Sequence, residues 1–552
     1  MDFALLADGR LVFICLLAGV VSMLTTLNVA ARPAAVHTKQ VALALAVSSI
    51  FFMFTRFANL FYLPILGSYV DKAVRTGAVN VLYEQIQWVV IGSALGALMS
   101  WMMLPTFCAV YERGIAGVQS RGSMFKVLLG LPTPRGIKAL FSCCRSPLIL
   151  RSWPKGSSRI KGPFLFWNVC ATAIWTVGAL CALYVSAAVP QLEATAVLLS
   201  GLVNSFAAIA FAIFVDPKAA VITDQTVQGQ RPEQDVKAMT FWLGAGNFLG
   251  GLLGLAVFPV GIAMIKWATL KLGQTSMSEN MWLVVGLNTL TALLMLTALS
   301  SRVSAVITKK VATSLAIYNV FFLITRLATQ VYAPILGAVR DSVINGQASA
   351  GDLLPLFRWV VWAATAGTIL GWLLIPTFVE IYNQAIVALE NRGGAMAKLL
   401  KDMIYPRNWL RVLRCGRAPQ LFGVVRRDLA HMPKGFLLAN TVVVGIHVIG
   451  VLAAILAGAQ LSGQLARTAT LLSSIINGVA TILASILVDP TAAHITDQCV
   501  HDKRPVHHIH IMVVCLAATT LIGTLLSQIL LQPSSQLIAL CARLLDWLFH
   551  CL

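Results

Sequence analysis

Two arginines stand inside long apolar runs, at positions where a charge needs a reason. Arg56 follows Thr55 within Val41–Leu63, and Arg326 follows Thr325 within Val311–Ala333. Arg56 is 15 residues into its run, or about 22 Å at 1.5 Å per helical residue. A charge so deep in a membrane costs about 3 kcal/mol or more and normally faces the protein interior or a wet cavity. The guanidinium fork matches the oxygens of a phosphate. One reading makes the pair substrate-binding groups for an anion; the other makes them structural, paired with Asp71 and Asp341 or snorkelling outward.

A second constellation is Val215-Asp216-Pro217, Thr223-Asp224-Gln225 and Arg231-Pro232, which returns as Val488-Asp489-Pro490, Thr496-Asp497-Gln498 and Arg504-Pro505. Asp216 before Pro217 reads as a helix cap with proline at the first helical position. Asp224, two turns on, can share its face. These residues suit a polar gate or a coupling-ion site, or else caps with ion pairs to Arg231 and Arg504. Asn168 and Asn440 repeat near apolar runs, as do Asn204 and Asn477. They would line a polar, substrate-binding cavity or join helices by hydrogen bonds. Pro64 and Pro334, each followed by Pro-Ile-Leu-Gly spacing to Gly67 and Gly337, are expected to end or break their helices. The small residues of Gly244–Gly254 point to close helix packing.

His494, His501, His507, His508 and His510 cluster in the second half alone, and the positions matching His494 and His501 are Val221 and Gln228. A solvated loop explains them better than a metal. The scattered cysteines, many in apolar runs, suit small buried hydrophobes rather than disulfides. Hydrolase, metalloprotease and nucleotide-binding motifs are missing. No catalytic residue, cofactor or metal is therefore expected.

The elements that must position these groups are membrane helices. Of the 552 residues, 58% are hydrophobic and 11% charged, and mean hydropathy is +0.81. Soluble domains carry about 25% charged residues, so the composition excludes a disordered chain and argues against a soluble one. Twelve runs reach the length a membrane helix needs. The first six are Leu11–Ala30, Val41–Leu63, Ile86–Phe107, Phe164–Ala188, Ala194–Phe214 and Ala238–Ile265. The second six are Met281–Ser300, Val311–Ala333, Phe357–Phe378, Phe436–Gly458, Ala469–Leu487 and Ile511–Leu531. Leu11–Ala30 is read as a retained span, because Asp2 and Asp8 precede it and its counterpart is internal.

The net charge of +20 lies mostly in the loops after odd-numbered runs. The positive-inside bias puts those loops in the cytoplasm and both termini outside. Two long basic loops, Tyr111–Gly162 and Tyr382–Lys434, mix Arg and Lys with apolar residues. Helices lying on an anionic leaflet account for them. No nucleic-acid module is present.

The chain is a tandem duplication. Ala31–Asp71 and Ser301–Asp341 share 20 of 41 positions, and Val215–Pro232 and Val488–Pro505 share 12 of 18. The expected fold is an all-α polytopic membrane protein of about twelve helices, in two parallel six-helix repeats, residues 1–270 and 271–552. Six spans per repeat is an even number, so both repeats enter the membrane in the same direction and a pseudo-twofold axis along the membrane normal relates them.

The Thr-Arg span ending in Pro-Ile-Leu-Gly, the Pro-Thr-Phe at 105–107 and 376–378, and the Val-Asp-Pro…Ile-Thr-Asp-Gln…Arg-Pro blocks together resemble the Amj (alternate to MurJ) family of bacterial lipid II flippases. The family's members are about the length of one half, so each half resembles one unit and the resemblance covers most of both. The resemblance implies movement of an undecaprenyl-diphosphate-linked peptidoglycan precursor between leaflets of the bacterial cell membrane, for cell wall biogenesis and cell shape. It also implies an anionic lipid-linked diphosphate as substrate, membrane lipids as surroundings, no nucleic acid, and an internal pseudo-dimer that can act as a single chain. A basic surface would gather the headgroup and the arginine pair would hold it midway. The competing readings are an ion-coupled exporter of small amphiphilic compounds and a membrane enzyme or scaffold acting on polyprenyl phosphates, for which no catalytic constellation is present.

Overall fold

The structure is a computed structural model that describes residues 3–39, 41–121, 127, 130, 133–153, 162–227, 229–273, 277–347, 350–390, 401, 414–418, 432–461, 465–500 and 502–551. At some helical positions, Arg56, Asp224, Asp497 and His494 among them, the side chains lie outside the described residues, as does His501 entirely. Among the described residues there is no strand, and long helices dominate.

The first repeat runs α1 (Gly9–Leu27), α2 (Ala31–Thr38), α3 (Val41–Thr76), α4 (Val79–Met102), α5 (Leu104–Arg121), α6 (Pro134–Phe141), α7 (Gly162–Ala188), α8 (Glu193–Ala210), α9 (Asp216–Val227) and α10 (Glu233–Gly273). The second runs α11 (Met277–Thr308), α12 (Val311–Ile344), α13 (Leu353–Leu373), α14 (Ile375–Glu390), α15 (Lys434–Gln460), α16 (Ala466–Leu471), α17 (Ser473–Leu483), α18 (Asp489–Val500) and α19 (His507–Cys551). Ten helices among the described residues are long and apolar enough to span a membrane. Of the other two expected spans, Val41–Leu63 lies in α3, and Ala469–Leu487 is built from the shorter α16 and α17 with the turn that follows. Large apolar side chains face outward, such as Trp282 at 80% exposure and Ile529 at 72%. Such a surface suits lipid rather than water. This is a multi-pass helical membrane protein.

Two compact units form, one from Met1–Pro190 and Ser200–Ala268, the other from Gln191–Leu199 and Thr269–Leu552. In the first, α1 packs along α4. A Cβ at Gly92 would stand 2.6 Å from the Cys15 carbonyl oxygen, so glycine is what lets these two backbones meet. In the second, α15 packs along α19 over a core of Ile449, Leu452, Ile455, Leu531 and Ile538.

Several local expectations change. Helix α3 continues through position 64 to Thr76, and α12 carries Pro334 in its interior and runs on to Ile344. Proline in a packed membrane helix is tolerated where neighbours satisfy the freed carbonyl. The Pro-Thr-Phe segments do not end a span. The chain turns at Met103 and Leu374, and Pro105 and Pro376 sit in the first turn of α5 and α14, where a missing N–H costs nothing. Asp216 is not a cap: its φ of −60° and ψ of −43° are helical, and a π-helical turn, Phe211–Val215, leads into it. The same turn, Ala484–Val488, precedes Asp489. Proline at 217 and 490 cannot donate to the carbonyl four residues back, and widening the preceding turn accommodates the gap.

Candidate functional site

The first unit holds a cavity of about 1240 Å³. Leu24 of α1, Val47 and Phe54 of α3, and Phe107 and Val110 of α5 form its apolar wall. Thr106 and Arg113 of α5 and Thr133 and Arg135 at the start of α6 supply its polar part. Gly114 and Gly117 keep the α5 side of the wall low. The cavity is amphiphilic: apolar over most of its lining, with two guanidinium groups at the basic loop.

Local chemistry holds α6 there. Thr133 caps it, accepting from the Gly136 N–H at 3.1 Å. None of its residues is buried, and Ile137, Leu140 and Phe141 are exposed. Its root is pinned by the Thr of Pro-Thr-Phe. The Thr106 hydroxyl donates to the Arg145 carbonyl at 3.2 Å and accepts from the Arg145 N–H at 2.9 Å. The second unit repeats this latch at Thr377 and Arg417, at 3.3 and 3.0 Å. Arg113 donates from Nη1 to the Ser142 hydroxyl at 2.9 Å. Neither the cavity arginines nor the latch was found by reading residues. The latch left one trace in the sequence, the repeated Pro-Thr-Phe.

The residues singled out from sequence fall in several places. Arg326 is exposed on α12 and makes no ion pair among the described residues. The Arg56 side chain lies outside the described residues. Asp341 does not pair with Arg326. Its cation is the neighbouring Arg340, at 3.0 Å, and Arg340 also meets Glu193 at 2.5 Å and donates to the Gly458 carbonyl. Asp341 accepts from the Ala194 and Thr195 N–H groups and the Thr195 hydroxyl, capping α8 from another helix. All three charged groups are buried. Asp71 is buried as well.

Asn168 is buried and donates to the Leu243 carbonyl and Asn247 Oδ1, each at 3.2 Å, which ties α7 to α10. Asn440 does the same between α15 and α19, with Thr519 at 2.8 Å. Asn204 and Asn477 lie against Gly178 and Gly450. Asp216 is exposed and pairs with Arg32 at 2.7 Å, not with Arg231, which instead faces Asp235 at 3.9 Å. Asp489 is exposed, and its nearest influential charge is Arg302, the match of Arg32. Gln225 and Gln498 lie in the last turn of their helices. Their carbonyls accept from the N–H groups of Gln230 and Arg231 and of Lys503 and Arg504. The side chains of Asp224 and Asp497 lie outside the described residues.

Beside the cavity is a group of charges that spacing did not reveal. His37 of α2 stands between Glu112 of α5 and Glu233 of α10, its Nδ1 and Nε2 each 2.5 Å from a carboxylate oxygen. Lys237 meets Glu233 at 2.6 Å. These residues lie beyond the apolar runs Leu11–Ala30 and Ala238–Ile265. The Glu112 hydrogen bond, outweighing partial burial and aided by Glu233, raises the His37 pKa. Lys237 above all, with His37, lowers that of Glu233.

The family model Amj, described as "Alternate to MurJ", matches residues 17–269 and again 287–542. The chain belongs to the Amj family. Each of its repeats corresponds to one family unit. The chain is similar to "Lipid II flippase Amj" of Bacillus subtilis (strain 168), with 30% identity over 243 residues, 44% of this chain and 89% of that protein. No solved structure matches. Family membership fits a cavity that offers cations and apolar wall together, and no group of His, Cys, Asp and Glu fit to hold a metal occurs among the described residues.

Proposed function

We propose that this chain is a lipid II flippase of the bacterial cell membrane, and that the cavity of the first unit receives its substrate. The match of both repeats to the Amj family carries this reading. A diphosphate joined to a sugar-peptide does not cross hydrocarbon unaided, because unpaired charge in low dielectric is too costly. It needs cations for the diphosphate and apolar wall for the polyprenyl chain. Arg113 and Arg135 supply the first, and Leu24, Val47, Phe54 and Phe107 the second. Arg56, on the same helix as Val47 and Phe54, and its match Arg326 are the groups for the next stage of passage. The π turns before Asp216 and Asp489 are the flexible joints that let α9 and α18 move, since such turns absorb helix distortion. The basic loops face the cytoplasm and both termini face outward, as the charge bias requires.

The test is translocation in proteoliposomes. A labelled lipid-linked disaccharide-peptide diphosphate is compared with a labelled phospholipid, using an impermeant reagent to read label exposure. Selective movement of the diphosphate lipid, lost in an Arg113→Gln/Arg135→Gln variant that still folds, is the expected result. Equal movement of both lipids, or of neither under any ion gradient, would overturn the reading. A reporter fused at the C-terminus and found in the cytoplasm would overturn the orientation.

A further inference from the structure

The His37 cluster is absent from the second repeat, although the helices that carry it are repeated. The matching positions are Ile307 for His37, Asn383 for Glu112 and Val506 for Glu233. All three ionisable groups are thus specific to the first repeat. They also come from three separate helices, α2, α5 and α10, which share an apolar cluster that includes Ala34, Tyr111 and Phe241 and which the imidazole links by charge. Glu112 is the residue before Arg113, so one side of α5 is held by His37 while the next residue lines the cavity.

We propose that His37, Glu112 and Glu233 form a proton-binding site whose occupancy clasps α5 to α2 and α10 and holds the arginine-lined cavity in its open form. Both ring nitrogens face carboxylate oxygens at 2.5 Å. Only the imidazolium can donate from both. A neutral ring donates to one glutamate and turns a lone pair on the other. The bound proton is therefore the third partner that lets two carboxylates share one ring. The remaining charges around the ring are already engaged: Lys237 with Glu233, Arg32 with Asp216, Arg231 with Asp235, and Arg113 with Ser142. The clasp is present at low pH and is lost as pH rises through the raised His37 pKa of the clasped form. Proton binding and the clasped conformation favour each other by linkage. The transport consequence rests on the flippase reading; the proton site itself does not.

The test uses the full chain in nanodiscs and two readouts. The first is hydrogen exchange of residues 104–121 at about pH 6 and about pH 8, corrected for intrinsic exchange. Wild type is expected to lose about tenfold in protection on going to the higher pH. His37→Gln is expected to abolish the pH response, and His37→Arg, which keeps a cation at both pH values, to hold protection at both. A His507→Gln/His508→Gln/His510→Gln variant is expected to respond like wild type. The second readout is lipid translocation over the same pH range, falling several-fold in wild type and flat in His37→Arg. Exchange that is pH-independent in wild type, or equally pH-dependent in His37→Gln, would overturn the proton site. A normal exchange response with no translocation would leave the site standing and remove the flippase reading instead.

Discussion

In the first repeat, the segment after the first span is tied to the start of the sixth through a histidine between two glutamates. In the second repeat, Lys309 and Asp502 tie the matching segments by a direct ion pair. Lys309 matches Lys39, and both sit in the left-handed region, at φ of 56° and 55°. Asp502 matches Gly229, again both left-handed, at 57° and 75°. Aspartate is one of the few side chains that tolerate that conformation, so the exchange adds a carboxylate without changing the backbone. One scaffold therefore carries a tie through an imidazole on one side and a direct ion pair on the other. A duplicated chain can differentiate in this way, whereas two identical copies of one unit cannot.

A second contrast lies in buried charge. Arg340 and Glu193 meet inside the second unit, and their repeat matches are Val70 and Ala466, both apolar and both buried. Asp71/Asp341 and Thr195/Thr468 are the same in both. The arginine–glutamate pair draws one residue from each repeat, and at the two matching positions both charges are replaced by apolar residues.

The contrast can be broken in order of effect. Arg340→Val alone leaves Glu193 and Asp341 buried without their cation, and is expected to cost about 3–5 kcal/mol. Heating followed by size exclusion in detergent should show a strongly lowered melting temperature. Arg340→Val/Glu193→Ala, which places at each position the residue found at its match, should recover most of that loss; failure to recover would mean the pair supports packing that apolar side chains do not replace. Next comes Arg113→Gln, which places in α5 the residue that the second repeat has at Gln384. It is expected to lower diphosphate-lipid translocation about tenfold, the effect of losing one charge-assisted contact worth about 1.4 kcal/mol, with Gln384→Ala near wild type. Thr106→Val and Thr377→Val each remove a two-way latch and should cost about 1–2 kcal/mol, read as faster proteolysis of the adjoining basic loop. Smallest is Lys309→Met, an exposed ion pair worth under about 1 kcal/mol. It should leave the melting temperature and its pH dependence nearly unchanged, while His37→Gln removes pH dependence on the other side.

Much of the fold was legible because spans of apolar residues and a repeat of 20 identities in 41 positions are properties of the chain itself. Helix ends were less so. Pro334 lies mid-helix, and Pro105 opens a helix where it was expected near the end of one. A proline removes one donor in either case, and only the neighbours decide whether the helix stops. Charged partners were least legible. Asp216 has Arg231 nearby in sequence but pairs with Arg32, 184 residues away. One reading paired Asp341 with Arg326, yet it meets Arg340 and holds the start of α8.

By itself the sequence determined that the protein is helical, membrane-embedded, duplicated and similar to the Amj family, since hydropathy, length and repetition are summed over many residues and survive any local rearrangement. The tertiary structure alone decided which charges meet. It brought Arg113 and Arg135 to one amphiphilic cavity and set His37 between Glu112 and Glu233. Such pairings depend on a few ångströms of helix position, and no pattern along the chain encodes the distance between residues 37, 112 and 233.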